Sequence, residues 1–400
     1  MKKILLILLI ICCSEQTLSQ NYVLYSDIRY DSIAGVDPNL LSLDIYKPIG
    51  YSGLRPVVVF IHGGYWNAGD KTQVLFGYLA NLFTDSGYVF VSINYRLSPN
   101  PIDTMLPTGV RFPVHPQDCS NAVKWVFNNI HNYSGDSSKM GLIGHSAGAH
   151  LVLLISTSNS FLPNIGIGLH RIRATCSLDC GVFDLPEELK KAGGFVPRRA
   201  PLINAFGRDT SLYDDASPQF QIIQGKTFAG FLLVHQNTSD RIFSNVRFRD
   251  SLIANGYNNI QLFNAHPYNH QEIATMLGSP LDTIGETDSV MSFFRRYLIG
   301  LPTGVKIESN PILNSFSLLQ NYPNPFNSST NIKFQIINYD RVVLKVFDLL
   351  GREVKTLVNE ELIPGTYEVK FDAGNLPSGV YFYRLRSGDF FDFKKMIITK

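Results

Sequence analysis

From Leu41 to about Leu301 the chain alternates between short unbroken apolar runs and segments whose apolar residues recur at helical spacing. Val57–Ile61 and Tyr88–Ile93 are continuous apolar runs, the pattern of strands covered on both faces. Between them Leu75, Leu79, Leu82 and Phe83 fall three or four residues apart, and Val123, Val126, Phe127 and Ile130 repeat the pattern, which predicts helices. Further strands are predicted at Met140–Ile143, Phe231–Val234 and Ile260–Phe263. Repeated strand–helix–strand order predicts an α/β fold, a mostly parallel sheet with helices on both faces. Ligand sites of such sheets lie at the carboxyl ends of the strands.

The pattern changes after Leu301. Residues 301–315, with "LPTGVKIESNP", read as a linker. Short strands without helices follow. In "GTYEVKFDA", Tyr367, Val369 and Phe371 alternate with Thr366, Glu368 and Lys370, and Gly351, Pro364-Gly365 and Ser378-Gly379 mark turns. Residues 316–400 are therefore expected to form a small antiparallel β-sandwich.

The other end reads differently again. Lys2 and Lys3 precede the apolar run Ile4–Ile11, and Thr17-Leu18-Ser19 offers a small-x-small cleavage site, so residues 1–19 read as a secretory signal peptide. Cys12 and Cys13 raise a lipoprotein reading, which Ile11 disfavours because a small residue normally precedes the lipidated cysteine. No run reaches the roughly 20 apolar residues of a transmembrane helix. Residues 20–300 are left as one large domain.

Composition narrows the picture only a little. A hydrophobic content of 45% with 17% charged residues allows large cores, and a net charge of +2 gives no argument for nucleic acid or an anionic surface as partner. Without the signal peptide three cysteines remain, Cys119, Cys176 and Cys180. An odd count argues against a disulfide framework, and no Cys/His spacing resembles a zinc site.

The chemistry concentrates at the strand ends. Gly144-His145-Ser146-Ala147-Gly148 fits the G-x-S-x-G nucleophile elbow between a strand and a helix, with Ser146 as nucleophile. "FIHGGYW" follows an earlier strand, so Gly63 and Gly64, with the amide of Ala147, are expected to donate to a developing oxyanion. Tyr65 and Trp66, beside that loop, are candidates for lining the substrate pocket or for packing. Beyond two later strands come Asp240 in "QNTSDRIF" and His270 in "YNHQEI". Ser146, Asp240, His270 follows the serine–acid–histidine order, with His270 as base and Asp240 orienting its imidazole. Asp209, Asp214 and Asp215 are rivals for the acid, and His266 for the base.

"HGGYW…GDK", "SINYRLSP", "GHSAGAHL" and "HQEI" together resemble α/β-hydrolase esterases of the carboxylesterase and kynurenine-formamidase-like kind, over most of residues 20–300. The resemblance implies the hydrolase fold, the Ser146/Asp240/His270 triad, the oxyanion loop at Gly63-Gly64 and no cofactor, and the "NHQEI" match favours His270 over His266. One departure stands out. Such enzymes commonly carry His-Gly-x-x-Asp before the acid, whereas here Gln236 replaces the glycine and one extra residue separates His235 from Asp240. "NYPNPFNSSTNIKFQI", "VFDLLGREV", "SGVYFYRL" and "KKMIITK" resemble the C-terminal sorting domain of type IX secretion cargo. That resemblance implies the Sec and type IX machinery as partners, in a Gram-negative bacterium, and a secreted or surface-attached product. The expected function is a secreted serine esterase acting on carboxylic esters, with acetyl or feruloyl esters of carbohydrate as targets. An arylformamidase-like amide hydrolase and an idle binding protein on the same scaffold are the alternatives.

Overall fold

The computed structural model describes residues 21–99, 109–193, 196–228, 230–300, 305–308, 316–336, 340–362, 365–388 and 390–399. The expected signal peptide, 1–19, lies outside them.

Eight strands form one sheet: β1 (Tyr22–Arg29), β2 (Ser42–Pro48), β3 (Arg55–Ile61), β4 (Val89–Ile93), β5 (Gly135–His145), β6 (Ile172–Leu178), β7 (Gly230–His235) and β8 (Ile260–Asn264). Their order is β1-β2-β4-β3-β5-β6-β7-β8. β1 and β2 are antiparallel to their neighbours, and every pairing from β4 onward is parallel. All five strands expected from the apolar runs lie in this sheet. The helices are α1 (Leu79–Asp85), α2 (Val114–Asn129), α3 (Ala147–Thr157), α4 (Leu185–Ala192), α5 (Val196–Phe206), α6 (Ser239–Ala254), α7 (Glu272–Thr275) and α8 (Glu286–Phe294).

β3 shows why its sequence does not alternate. Val57, Val59 and Ile61 pack with Val123 and Val126 of α2 and Leu151 and Leu154 of α3. Val58 and Phe60, on the opposite face, pack with Phe83, Phe293 and Phe294. Both faces of the strand are dry, so every position is apolar. The helix expected through Leu75–Phe83 is divided: a 3₁₀ segment, Lys71–Phe76, ends at extended Gly77, and α1 begins two residues later.

The C-terminal region forms two four-stranded antiparallel sheets from β9 (Val305–Glu308), β10 (Ser317–Leu318), β11 (Ser329–Ile336), β12 (Asp340–Phe347), β13 (Glu353–Leu362), β14 (Gly365–Asp372), β15 (Gly379–Ser387) and β16 (Phe390–Ile398). Tyr367, Val369 and Phe371, the apolar side of the alternation noted above, are buried against Val342, Leu344 and Tyr383 of the other sheet. One expectation is corrected. The segment 301–315 is not simply a linker, because its residues 305–308 pair antiparallel with Val369–Thr366 of β14. The short Val-x-Ile alternation is easily missed between glycine and proline.

Candidate active site

Every group of the site hangs from a carboxyl end of β3, β5, β6, β7 or β8. Ser146 follows β5 at φ 57°, ψ −115°, a conformation that L residues avoid unless the surroundings impose it. The two glycines of the elbow make that imposition possible. A Cβ on Gly144 would stand 2.3 Å from the Gly148 carbonyl oxygen, and one on Gly148 would stand 2.0 Å from the Ile61 carbonyl oxygen. The helix must pass that close to β5 and β3 for the turn to close. α3 then starts at Ala147, aiming the positive end of its dipole at the serine.

The Ser146 hydroxyl lies 2.9 Å from Nε2 of His270, which sits in the loop between β8 and α7. Nδ1 of His270 donates to Oδ2 of Asp179 at 2.6 Å. The structure thus brings together Ser146 and His270 as expected, but the carboxylate that meets His270 is Asp179, at the tip of β6, and not Asp240. The reason lies in how β7 ends. Helix α6 begins at Ser239, and successive residues on a helix turn by about 100°. Arg241 therefore reaches into the site, its Nε 3.3 Å from Asp179 Oδ1 and its Nη1 donating to the Cys180 carbonyl at 3.1 Å. Asp240 stays exposed in the first turn of α6 and lines the cavity mouth. Gly181 makes room for the arginine, since a Cβ there would stand 2.2 Å from Nη1.

Asp179 is fully buried and lies at φ 53°. Burial alone would raise its pKa, but the hydrogen bond from His270, the Arg241 charge and the Gln236 N–H together hold the carboxyl below the usual carboxylate range. It stays ionised beside the histidine. Among the rivals named above, Asp209 caps a short 3₁₀ turn by accepting from the Ser211 N–H and hydroxyl, and Asp214 and Asp215 are exposed. The amide of His266 donates to the Asn264 side chain, and its exposed ring gives it no place in the triad.

Gly63 sits against Ser146: a Cβ there would lie 3.1 Å from the Ser146 Cβ. Gly64, Tyr65 and Trp66 follow with φ of 111°, 53° and 60°. That left-handed run is held by the Ser98 N–H donating to the Trp66 carbonyl at 2.7 Å and by the amides of Asn67 and Ala68 on the Gly64 carbonyl. Trp66 is buried edge-on to His150 and Phe206, whereas Tyr65 is 60% exposed at the cavity mouth. The two candidates for pocket lining therefore differ: Trp66 packs a wall and Tyr65 offers a free ring. The "GDK" of the motif anchors this loop from below. Asp70 accepts from Thr72, Asn94 and Asn39, and buried Lys71 pairs with Asp27 at 2.7 Å and with Asp44 at 3.4 Å.

A cavity of about 560 Å³ opens over Ser146 and His270, walled by Trp66, Val182 and Leu202 with Asp240 and Arg241 among its polar lining. That is the size and mixed character of a small-molecule site. Cys119, Cys176 and Cys180 are free thiols, all buried. Among the described residues no cluster of three or more His, Cys, Asp or Glu side chains is placed to hold a metal ion, and no helix is long and apolar enough to cross a membrane.

The elbow, the serine–histidine–aspartate relay and the sheet order define an α/β hydrolase. The BD-FAE family matches residues 43–185, and the secretion system C-terminal sorting domain matches residues 320–399. The chain is 30% identical over 202 residues to a kynurenine formamidase of Meyerozyma guilliermondii, covering 48% of this chain and 68% of that one. Of three other curated esterases that it matches, the chain spans only 23%, 28% and 29% of the length. In fold it is similar to esterase B of Lactobacillus rhamnosis, with a TM-score of 0.55 and 21% identity over 68% of this chain and 85% of that one. It is also similar to a truncated carbohydrate esterase from gut microbiota, with a TM-score of 0.54 and 16% identity over 70% of this chain and 98% of that one. The chain belongs to the α/β-hydrolase esterases and carries a type IX sorting domain at its C-terminal end.

Proposed function

We propose that the protein is a secreted serine hydrolase that cleaves carboxylic esters through an acyl-enzyme intermediate. The observation that carries this reading is the continuous relay Ser146–His270–Asp179 opening onto the cavity. His270 Nε2 takes the Ser146 proton as Oγ attacks the ester carbonyl, and Asp179 holds the imidazole and balances its charge. Amides of the Gly63-Gly64 loop and of Ala147 stabilise the tetrahedral oxyanion. As the acyl–oxygen bond breaks, His270 passes that proton to the departing alkoxide, and a water activated by the same histidine releases the acid.

Esters of carbohydrate with acetyl or feruloyl groups fit best as substrates. Tyr65, free at the mouth, offers a ring for a sugar or an aromatic acyl group to stack on. The match to a secretion sorting domain supports this reading, because polymer-linked esters are met outside the cell. The kynurenine formamidase likeness supports a second reading, hydrolysis of an aryl formamide by the same relay. Measuring kcat/KM for an aryl acetate, a feruloyl ester and N-formylkynurenine under one set of conditions separates the two. A formamide preferred by a hundredfold or more overturns the ester reading and leaves the relay standing.

A further inference from the structure

The His270 loop is exposed on both sides, at Asn269 and Gln271, yet the histidine must hold its ring to within a fraction of an ångström. Two side chains from other strand ends grip its peptide group. The His145 Nε2–H donates to the His270 carbonyl at 2.8 Å, and the two rings lie 4.7 Å apart at 36°. The Gln236 side-chain amide faces both groups, and the orientation that gives each of its atoms a partner has its nitrogen donating to Asp179 Oδ2 at 3.1 Å and its oxygen accepting the His270 N–H at 2.9 Å. The Gln236 backbone N–H also donates to Asp179 Oδ1 at 3.1 Å.

We propose that His145 and Gln236 are positioning residues that clamp the base through its backbone, one on the carbonyl and one on the amide. The proposal rests on the hydrolase reading given above. Neither residue is prescribed by a sequence pattern: His145 is the variable position of G-x-S-x-G, and Gln236 departs from the glycine that similar enzymes carry. His145 suits the task because a donor to a carbonyl must keep its Nε2 proton, and a neutral ring does so without setting a second charge against the imidazolium that forms on His270. Burial, then the nearby His270 charge, lowers the His145 pKa to about 4, so the ring is neutral at working pH. Gln236 links acid and base directly, so a shift of the β7–α6 loop moves both groups together. The clamp fixes the ring's approach to Ser146 while the Nδ1–Asp179 bond fixes its tautomer.

The test compares His145→Leu with His145→Gln, which keeps an N–H donor, and adds Gln236→Met in the partly exposed loop, where folding is not at stake. The readouts are the rate of labelling by a fluorophosphonate probe, which needs no knowledge of the natural substrate, and kcat and KM on an aryl acetate. Loss of positioning is expected to slow labelling and kcat by about 10- to 100-fold in His145→Leu and Gln236→Met with KM little changed. His145→Gln is expected to recover to within about threefold of wild type. Wild-type rates in Gln236→Met, or in a folded His145→Leu, overturn the proposal, as does a His145→Gln variant that is as slow as His145→Leu. A wild-type protein that the probe never labels overturns the hydrolase reading and the clamp with it.

Discussion

His270 Nδ1 meets Asp179 Oδ2 at 2.6 Å, so the acid of the relay is supplied by β6 and not by the strand next to the base. Asp179→Asn is expected to lower kcat by about 10⁴-fold, because an amide at that position favours the wrong tautomer of the imidazole. Asp240→Asn, at the cavity mouth, is expected to stay within about tenfold of wild type, since the base and its orienting partner are untouched. Steady-state kinetics on an aryl acetate decide between the two carboxylates. The opposite ranking returns the acid to α6.

Ser146→Ala and His270→Ala are each expected to reduce kcat by about 10⁶-fold, and the double variant to fall little further, because the residues act as a unit. Circular dichroism establishes that each variant folds. Covalent labelling of wild type, lost in Ser146→Ala, identifies the nucleophile independently of substrate.

Gly148→Ala asks whether the elbow tolerates a methyl group. The Cβ would lie 2.0 Å from the Ile61 carbonyl oxygen, so helix α3 must move away from β3. A stability loss of about 1–3 kcal/mol in urea unfolding is expected, the usual cost of overpacking. A crystal structure of the variant should show Ser146 displaced from His270. Unchanged stability and activity refute the account of the turn.

Glu286 is buried in the first turn of α8 with neither carboxyl oxygen hydrogen-bonded, and burial, aided by Asp282, pushes its pKa up to about 9. With a folded value above the unfolded one, stability is full at low pH and is lost as pH rises from about 4.5 toward 9. Glu286→Gln removes that loss. Its gain is expected to be near zero at pH 4 and to exceed the gain at pH 5 by at least about 1 kcal/mol at pH 8, read from urea midpoints. A gain independent of pH contradicts the assignment.

Lys71 is 2% exposed and pairs with the equally buried Asp44 beneath the Gly63-Gly64 loop. Lys71→Met leaves that carboxylate without its cation, at an expected cost of about 3–5 kcal/mol. Lys71→Met combined with Asp44→Asn should recover much of the loss. Thermal unfolding of the single and double variants measures the coupling.

The sequence by itself determined the parts whose physics is local. Strands buried on both faces must be continuously apolar, so β3 and β7 were legible as written, and a strained turn that lets no Cβ pass must be glycine on both sides, so Ser146 was legible from Gly144 and Gly148. His270 could be placed from its own short motif. The acid could not. Serine–acid–histidine order holds for Asp179 as well as for Asp240, and the only local cue was negative: Gln236 and an extra residue where the expected pattern has Gly-x-x before the acid. What chose Asp179 is the parallel register that sets Leu178 beside Val234, together with the start of α6 at Ser239, which turns Arg241 inward and leaves Asp240 in solvent. The two grips on the His270 peptide were equally invisible. They join residues 125 and 34 positions away along the chain, and a carboxylate, an imidazole and an amide that distant acquire a shared geometry only when the sheet brings its strand ends to one edge.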